Sequence, residues 1–140
     1  MRKLLLSASL FSVFLVGCSS EVEIDGTNMD TTRESWQQMY SEVPESERST
    51  FIEGSGLIVL DSIEDIYASL DRFKPWSSTA YTDLATDIIH RPDYGDSLRM
   101  AVTDGFDGKT KSEIIDFVEN SDVEVGNDWI VERAVKDFLE

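Results

Sequence analysis

The sequence has 140 residues, with 28 acidic side chains, 12 basic ones and a single cysteine, which gives a formal net charge of −16. This length suits one domain with its own hydrophobic core, and one cysteine excludes an internal disulfide framework. So strong a negative charge repels nucleic acid and anionic lipid headgroups, and we expect neither among the partners.

The first segment of the chain predicts export. Arg2 and Lys3 precede an apolar run over residues 4–16, and this order is typical of a secretory signal peptide, here residues 1–17. The apolar run has 13 residues, fewer than the roughly 20 that a membrane-spanning helix needs. We therefore expect the leader to be removed rather than to stay as a membrane helix.

The leader ends in Leu15-Val16-Gly17-Cys18, which resembles the lipobox of bacterial lipoproteins at every position. The resemblance implies cleavage before Cys18, a diacylglycerol on its thiol and an acyl chain on its new amino group. A plain secreted protein would carry an exposed free thiol there, which is unfavourable. We predict a lipid anchor that binds the domain to a membrane of the cell envelope. In an organism with two membranes we expect the outer one, because Ser19 replaces the aspartate typical of inner-membrane retention.

Residues 18–30 are predicted to form the lipidated cysteine and a tether, since residues 19–30 lack helical periodicity. Within them, residues 21–25 alternate like a short strand, and Gly26-Thr27-Asn28 has the composition of a turn. Docking of this strand-like piece on the domain is the alternative. Residues 1–17 hold two basic side chains and no acidic ones, so the mature chain carries a formal charge of −18.

Two helices are predicted next. Thr31-Thr32-Arg33-Glu34 has the composition of a capping box that opens the first helix, and Pro44 ends that helix. The second pattern runs from Pro44 towards Leu70. Gly54 and Gly56 each weaken such a helix by up to ~1 kcal/mol, which close contact with a neighbouring helix there would explain. A break with residues 57–60 as a buried strand is the alternative, but no second strand of similar strength exists to pair with it.

The third helix is predicted to follow a loop over residues 73–78, in which Trp76 is the aromatic side chain expected at the surface. Thr79 is its predicted cap, and Pro92 ends it, with His90 in the last turn where a cation complements the helix dipole. Residues 93–96 have the composition of a turn.

The last part of the chain contains three further helical patterns. Residues 97–102 predict a short helix and residues 104–108 a loop, before a second capping box at Thr110-Lys111-Ser112-Glu113. A final helix begins at about Asp128. Its expected inward side chains are Trp129, Ala134, Val135, Phe138 and Leu139. The patterns together predict an all-α domain over residues 31–140, a small bundle of about four to six amphipathic helices.

No motif predicts catalysis, a cofactor or a metal. Gly108-Lys109-Thr110 resembles the end of a phosphate-binding loop, but Thr103 stands where that loop needs glycine, so we expect no nucleotide. Asp104 and Asp107 do not have the spacing of a calcium loop. His90 is the single histidine, and its position at a helix end explains it without zinc. We predict no enzyme; an envelope hydrolase with an unrecognised carboxylate pair is the alternative.

Four glutamates around the first interhelix turn are the candidate partner-binding residues, namely Glu42, Glu45, Glu47 and Glu53. A surface of this charge suits a basic envelope protein, and we predict an acidic, non-catalytic interaction or accessory protein. Solubility near a crowded membrane is the other explanation for the same charges.

The order of features resembles a family of small bacterial lipoproteins of unknown function. The resemblance is carried by three short motifs: Ile24 to Thr27, the helix start Pro44 to Glu47, and the late helix start Asp107 to Thr110 followed by Glu113-Ile114-Ile115. It covers about residues 24–121, and it is weaker between residues 61 and 94 and in the final helix. It implies an envelope lipoprotein and brings no catalytic residues.

Overall fold

The computed structural model describes residues 21–67 and 76–140, and Cys18 with the predicted signal peptide lies outside them. The described residues form six α-helices and one turn of 3-10 helix, Glu45–Glu47, so the predicted all-α class is confirmed. The α-helices are α1 (Met29–Glu42), α2 (Arg48–Tyr67), α3 (Ser78–His90), α4 (Pro92–Phe106), α5 (Lys111–Asn120) and α6 (Asp128–Phe138). Within the described ranges, no helix is both long enough and apolar enough to cross a membrane.

Helix α2 is the centre of the bundle, and α4, α5 and α6 all pack against it. It runs unbroken through Gly54 and Gly56, so residues 57–60 are helical, as predicted, and not a strand. A Cβ atom at Gly54 would overlap the carbonyl oxygen of Ile114 in α5, and one at Gly56 would lie 2.5 Å from the carbonyl oxygen of Val131 in α6. Each glycine therefore lets a different helix approach the backbone of α2.

Helix α1 begins earlier than the sequence pattern indicates. The side chain of Asn28 accepts hydrogen bonds from the backbone N–H of Asp30 and of Thr31, at 2.9 and 3.1 Å. The hydroxyl of Thr31 accepts in return from the N–H of Asn28 at 3.1 Å. The prediction of Thr31 as the cap was wrong, because Thr31 is the third helical residue and takes the place that Glu usually has in a capping box.

The segment before α1 lies on the domain surface as a docked strand-like piece, which was the alternative to a free tether. The N–H of Ile24 donates to the carbonyl of Lys109 at 2.9 Å, and the N–H of Gly108 donates to the carbonyl of Ile24 at 3.0 Å. The side chain of Ile24 is buried. Gly108 has a φ of 72°, a left-handed conformation that favours glycine and turns the chain from α4 towards α5.

Three predictions around α3 and α4 were wrong. Ser77 caps α3 in place of Thr79, since its hydroxyl accepts from the N–H of Ala80 at 3.1 Å. Pro92 both ends α3 and starts α4, so residues 93–96 form the first turn of α4 and not a separate turn. Helix α4 also continues to Phe106, into the segment that was predicted to be a loop. Proline is well tolerated at the first helical position, because the N–H that it lacks would have no partner within the helix. The turn-like composition of residues 93–96 concealed this helix start.

The predicted exposures of two tryptophans, Trp76 and Trp129, were wrong. Trp76 is 2% exposed, because its backbone pairs with residues 124–126 through the N–H of Trp76 to Glu124 and the N–H of Gly126 to Trp76. Trp129, predicted inside, is 45% exposed on the first turn of α6. The inward side chains of α6 are Ile130, Val131, Ala134, Val135 and Phe138.

Candidate functional site

A groove of about 430 Å³ lies where the first half of α2 meets the first turns of α6. We call it the acidic groove, because three carboxylates and one arginine line it. Its lining residues are Tyr40, Arg48, Ser49, Ile52, Glu53, Asp128, Val131 and Glu132.

The aromatic wall of the acidic groove is fixed by packing. The ring of Tyr40 stacks on that of Trp36 with centroids 5.3 Å apart and an interplanar angle of 3°. It also lies 6.0 Å from the ring of Phe51. Since Trp36 and Phe51 are buried, Tyr40 has a rigid support and offers one apolar surface to the groove.

The one basic side chain of the groove is already engaged. The guanidinium of Arg48 lies 5.5 Å from the ring centroid of Tyr40, a cation–π geometry, and its Nε donates to the carbonyl of Val43 at 3.2 Å. Both contacts hold Arg48 against the end of α1. Its single positive charge is outnumbered by the three carboxylates, so the lining of the groove stays net negative.

The three carboxylates come from two helices. Glu53 projects from α2, whereas Asp128 and Glu132 lie four residues apart and so share one face of α6. Asp128 stands in the first turn of α6, where the helix dipole favours negative charge. All three are solvent-exposed, and the lining also includes the apolar side chains of Ile52, which is half-buried, and Val131, which is buried. The arrangement suits cationic side chains that carry aliphatic stems.

The structure separates the four glutamates that the sequence grouped. Glu53 lines the acidic groove, and Glu42 and Glu45 are exposed at the α1–α2 turn without lining it. Glu47 forms an ion pair with Lys111 of α5, with Nζ and Oε2 3.2 Å apart. Sequence reasoning did not find Asp128 or Glu132; their i, i+4 spacing was visible, but the pairing of α6 with α2 was not.

Two other residues considered in the sequence analysis, His90 and Asp107, do not line the acidic groove. His90 is the last residue of α3 and is exposed. The carboxylate of Asp107 accepts from the N–H of Gly26 at 3.0 Å and so holds the docked segment. In the part of the chain that the structure describes, no three His, Cys, Asp or Glu side chains are placed to hold a metal ion. Cys18 lies outside that part.

Comparisons with protein-family models, with curated proteins and with solved structures found no match for this chain. The resemblance to small bacterial lipoproteins therefore stays a prediction from the sequence motifs.

Proposed function

We propose that this protein is a non-catalytic, lipid-anchored lipoprotein of the bacterial envelope whose helical domain binds a basic segment of another envelope protein. The acidic groove is the observation that carries the proposal. The lipobox supports the location in the envelope, and the overall charge of −16 supports a partner of positive charge.

The groove offers both components that a basic peptide segment needs. Glu53, Asp128 and Glu132 provide anionic acceptors for lysine or arginine head groups. The half-buried side chains of Tyr40 and Ile52 provide apolar contact for their stems. Because α2 and α6 are packed closely at Gly56, the backbone positions that carry the carboxylates keep a fixed spacing, so no backbone has to be ordered on binding.

Exposed charges act mainly on the rate of encounter. Glu42 and Glu45 stand beside the groove and extend its negative field without touching it. We expect association with a basic partner to slow steeply as salt screens that field, while dissociation changes less.

The experiment is a crosslinking and pull-down of the native lipoprotein from its own envelope, repeated with the double charge reversal Glu53→Lys and Glu132→Lys. We expect the double variant to lose the partner. The charge-matched control is Asp83→Lys with Asp104→Lys, two exposed acidic residues of α3 and α4 that do not line the groove, and it should retain the partner.

Two results would reject the proposal. Equal loss of the partner in the control would mean that bulk charge, rather than the groove, is responsible. Recovery of no partner, together with turnover of a glycan substrate that is lost on mutating one carboxylate, would favour the hydrolase alternative.

A further inference from the structure

A second groove of about 270 Å³ lies between α3, α4 and the end of α6, and it shares no lining residue with the acidic groove. We call it the arginine groove. The residues used in the argument are Arg33, Arg99 and Arg133, with the apolar Leu84, Ile88 and Phe138. Three of the 12 basic residues of a strongly acidic chain thus meet at one apolar groove.

The single carboxylate that lines the arginine groove is already paired. The phenol of Tyr81 donates to Asp137 at 3.1 Å, and Nε of Arg133 lies 2.9 Å from the same carboxylate. Burial and the neighbouring carboxylate raise the pKa of Tyr81, so the phenol stays neutral and donates. The lining residues therefore carry a net positive charge despite Asp137.

The arginines are held in place and keep donors for a ligand. Nε of Arg33 donates to the carbonyl of Phe138 at 2.8 Å, at the end of α6, where a cation also complements the helix dipole. Arg99 pairs with Asp96 at 2.8 Å, but both side chains are exposed, and such pairs hold weakly. Among the described contacts, Arg33 and Arg133 bond through Nε, and a guanidinium carries further N–H donors on its terminal nitrogens.

The floor of the groove is hydrocarbon. Leu84 and Phe138 are buried and Ile88 is half-buried. Ile89, which also lines the groove, is 74% exposed. An apolar floor with guanidinium groups at its edge is complementary to a molecule that has a hydrocarbon chain and an anionic head.

We propose that the arginine groove binds a free single-chain carboxylate amphiphile, such as a medium-chain fatty acid, with its head at Arg99 and Arg133 and its chain along α3. The volume of about 270 Å³ is at the small end for ligand pockets, which suits one short chain rather than a two-chain phospholipid. This binding activity is separate from the proposed recognition of a basic protein.

The test is a titration of the full-length chain, held in nanodiscs of zwitterionic lipid, with decanoate, followed by amide chemical shifts. We expect saturable shifts in α3 and α6, and the variants Arg99→Gln and Arg133→Gln should each weaken decanoate at least about tenfold. Both arginines are exposed, so their replacement leaves the core intact. Lys136→Gln, an exposed basic residue of α6 that lines neither groove, is the charge-matched control and should bind decanoate as the wild type does.

Uncharged decanol measures the part played by the head group. Decanol and decanoate both partition into the lipid of the nanodisc. The difference in binding between the wild type and Arg133→Gln therefore measures the contribution of the groove alone. Weaker binding of decanol supports the proposal. Equal binding of decanol, absence of saturable shifts with decanoate, equal weakening by Lys136→Gln, or tighter binding of a glutamate-rich peptide would each overturn it.

Discussion

The indole Nε1 of Trp36 in α1 donates a hydrogen bond to the hydroxyl oxygen of Ser55 in α2 over 2.8 Å. Both side chains are buried, and Ser55 stands between the two glycines at which α5 and α6 approach. This bond ties α1 to the helix that the rest of the domain surrounds. It also supports Tyr40, and through Tyr40 the wall of the acidic groove.

We expect Ser55→Ala to lower the free energy of unfolding by about 1–3 kcal/mol, because it leaves a buried indole N–H without its acceptor. Urea denaturation measures the change. Ser97→Ala is the matched control, since its hydroxyl donates to the carbonyl of Asp93 on an exposed surface, and it should stay within about 0.5 kcal/mol of the wild type. Equal effects from the two variants would contradict the role given to Ser55.

Alanine at Gly54 or Gly56 should destabilise the domain although it favours a helix. The new Cβ meets backbone atoms of Ile114 or Val131, which have no room to move, so we expect a loss of about 1–3 kcal/mol or more. Gly95→Ala in α4 is the control, because its Cβ would meet only the ends of the side chains of Ile88 and Arg99. Thermal unfolding of the three variants measures the contrast. A gain in stability at Gly54 or Gly56 would mean that the helices are not in close contact there.

The capping box of α5 predicts a pH dependence. The N–H of Thr110 donates to the carboxylate of Glu113 at 2.8 Å, and its hydroxyl does so at 3.1 Å. These bonds lower the pKa of Glu113 below its ordinary value of 4.5, with the backbone bond the larger cause. A lowered folded-state pKa means that the stabilisation is fully present above the unfolded pKa and is lost as the pH falls through the folded one.

We therefore expect Glu113→Gln to be less stable than the wild type at neutral pH, and the difference to shrink as the pH falls below the ordinary glutamate value. Urea titrations of both proteins across the acid range measure it. Glu119→Gln, an exposed residue near the end of the same helix, is the control and should be no less stable than the wild type at neutral pH, because a negative charge there does not complement the helix dipole. A difference that stays constant with pH would exclude the carboxylate as the cause.

How well the sequence predicts this fold depends on how local each signal is. The Thr110–Glu113 box was predicted correctly because both partners lie within one turn. Asn28 was missed as the cap of α1 because Thr31, three residues later, offers the same chemistry at a neighbouring position. Trp76 was placed wrongly because its burial depends on pairing with residues 124–126, which no local pattern records.

The candidate sites depend on contacts between distant helices. Glu53 was identified from its charge alone, whereas Asp128 and Glu132 join it only because α6 packs on α2. The arginine groove brings together side chains of α1, α4 and α6, and no stretch of the sequence contains a basic cluster there. The count of charges in the sequence predicts the sign of the proposed partner, whereas the candidate site for it depends on how the helices pack.

The anchor is tested separately from the fold. We expect the mature protein to begin at Cys18 and to carry a diacylglycerol on the thiol and an acyl chain on the amino group, since residues 15–18 match a lipobox. Mass spectrometry of the amino-terminal peptide measures this, and Cys18→Ser should leave the leader uncleaved. An unmodified Cys18, or cleavage at another bond, would reject the lipid anchor.

The most direct measurement of the proposed recognition is site-specific photo-crosslinking in the native envelope. A photoreactive residue replaces Ser49, an exposed side chain that lines the acidic groove, or Asp83, an exposed side chain on α3 outside it. The proposal predicts one discrete crosslinked protein from position 49, abolished by high salt and by Glu53→Lys with Glu132→Lys, and none from position 83. The same crosslinks from both positions, or a crosslink at position 49 that survives the charge reversal, would contradict it.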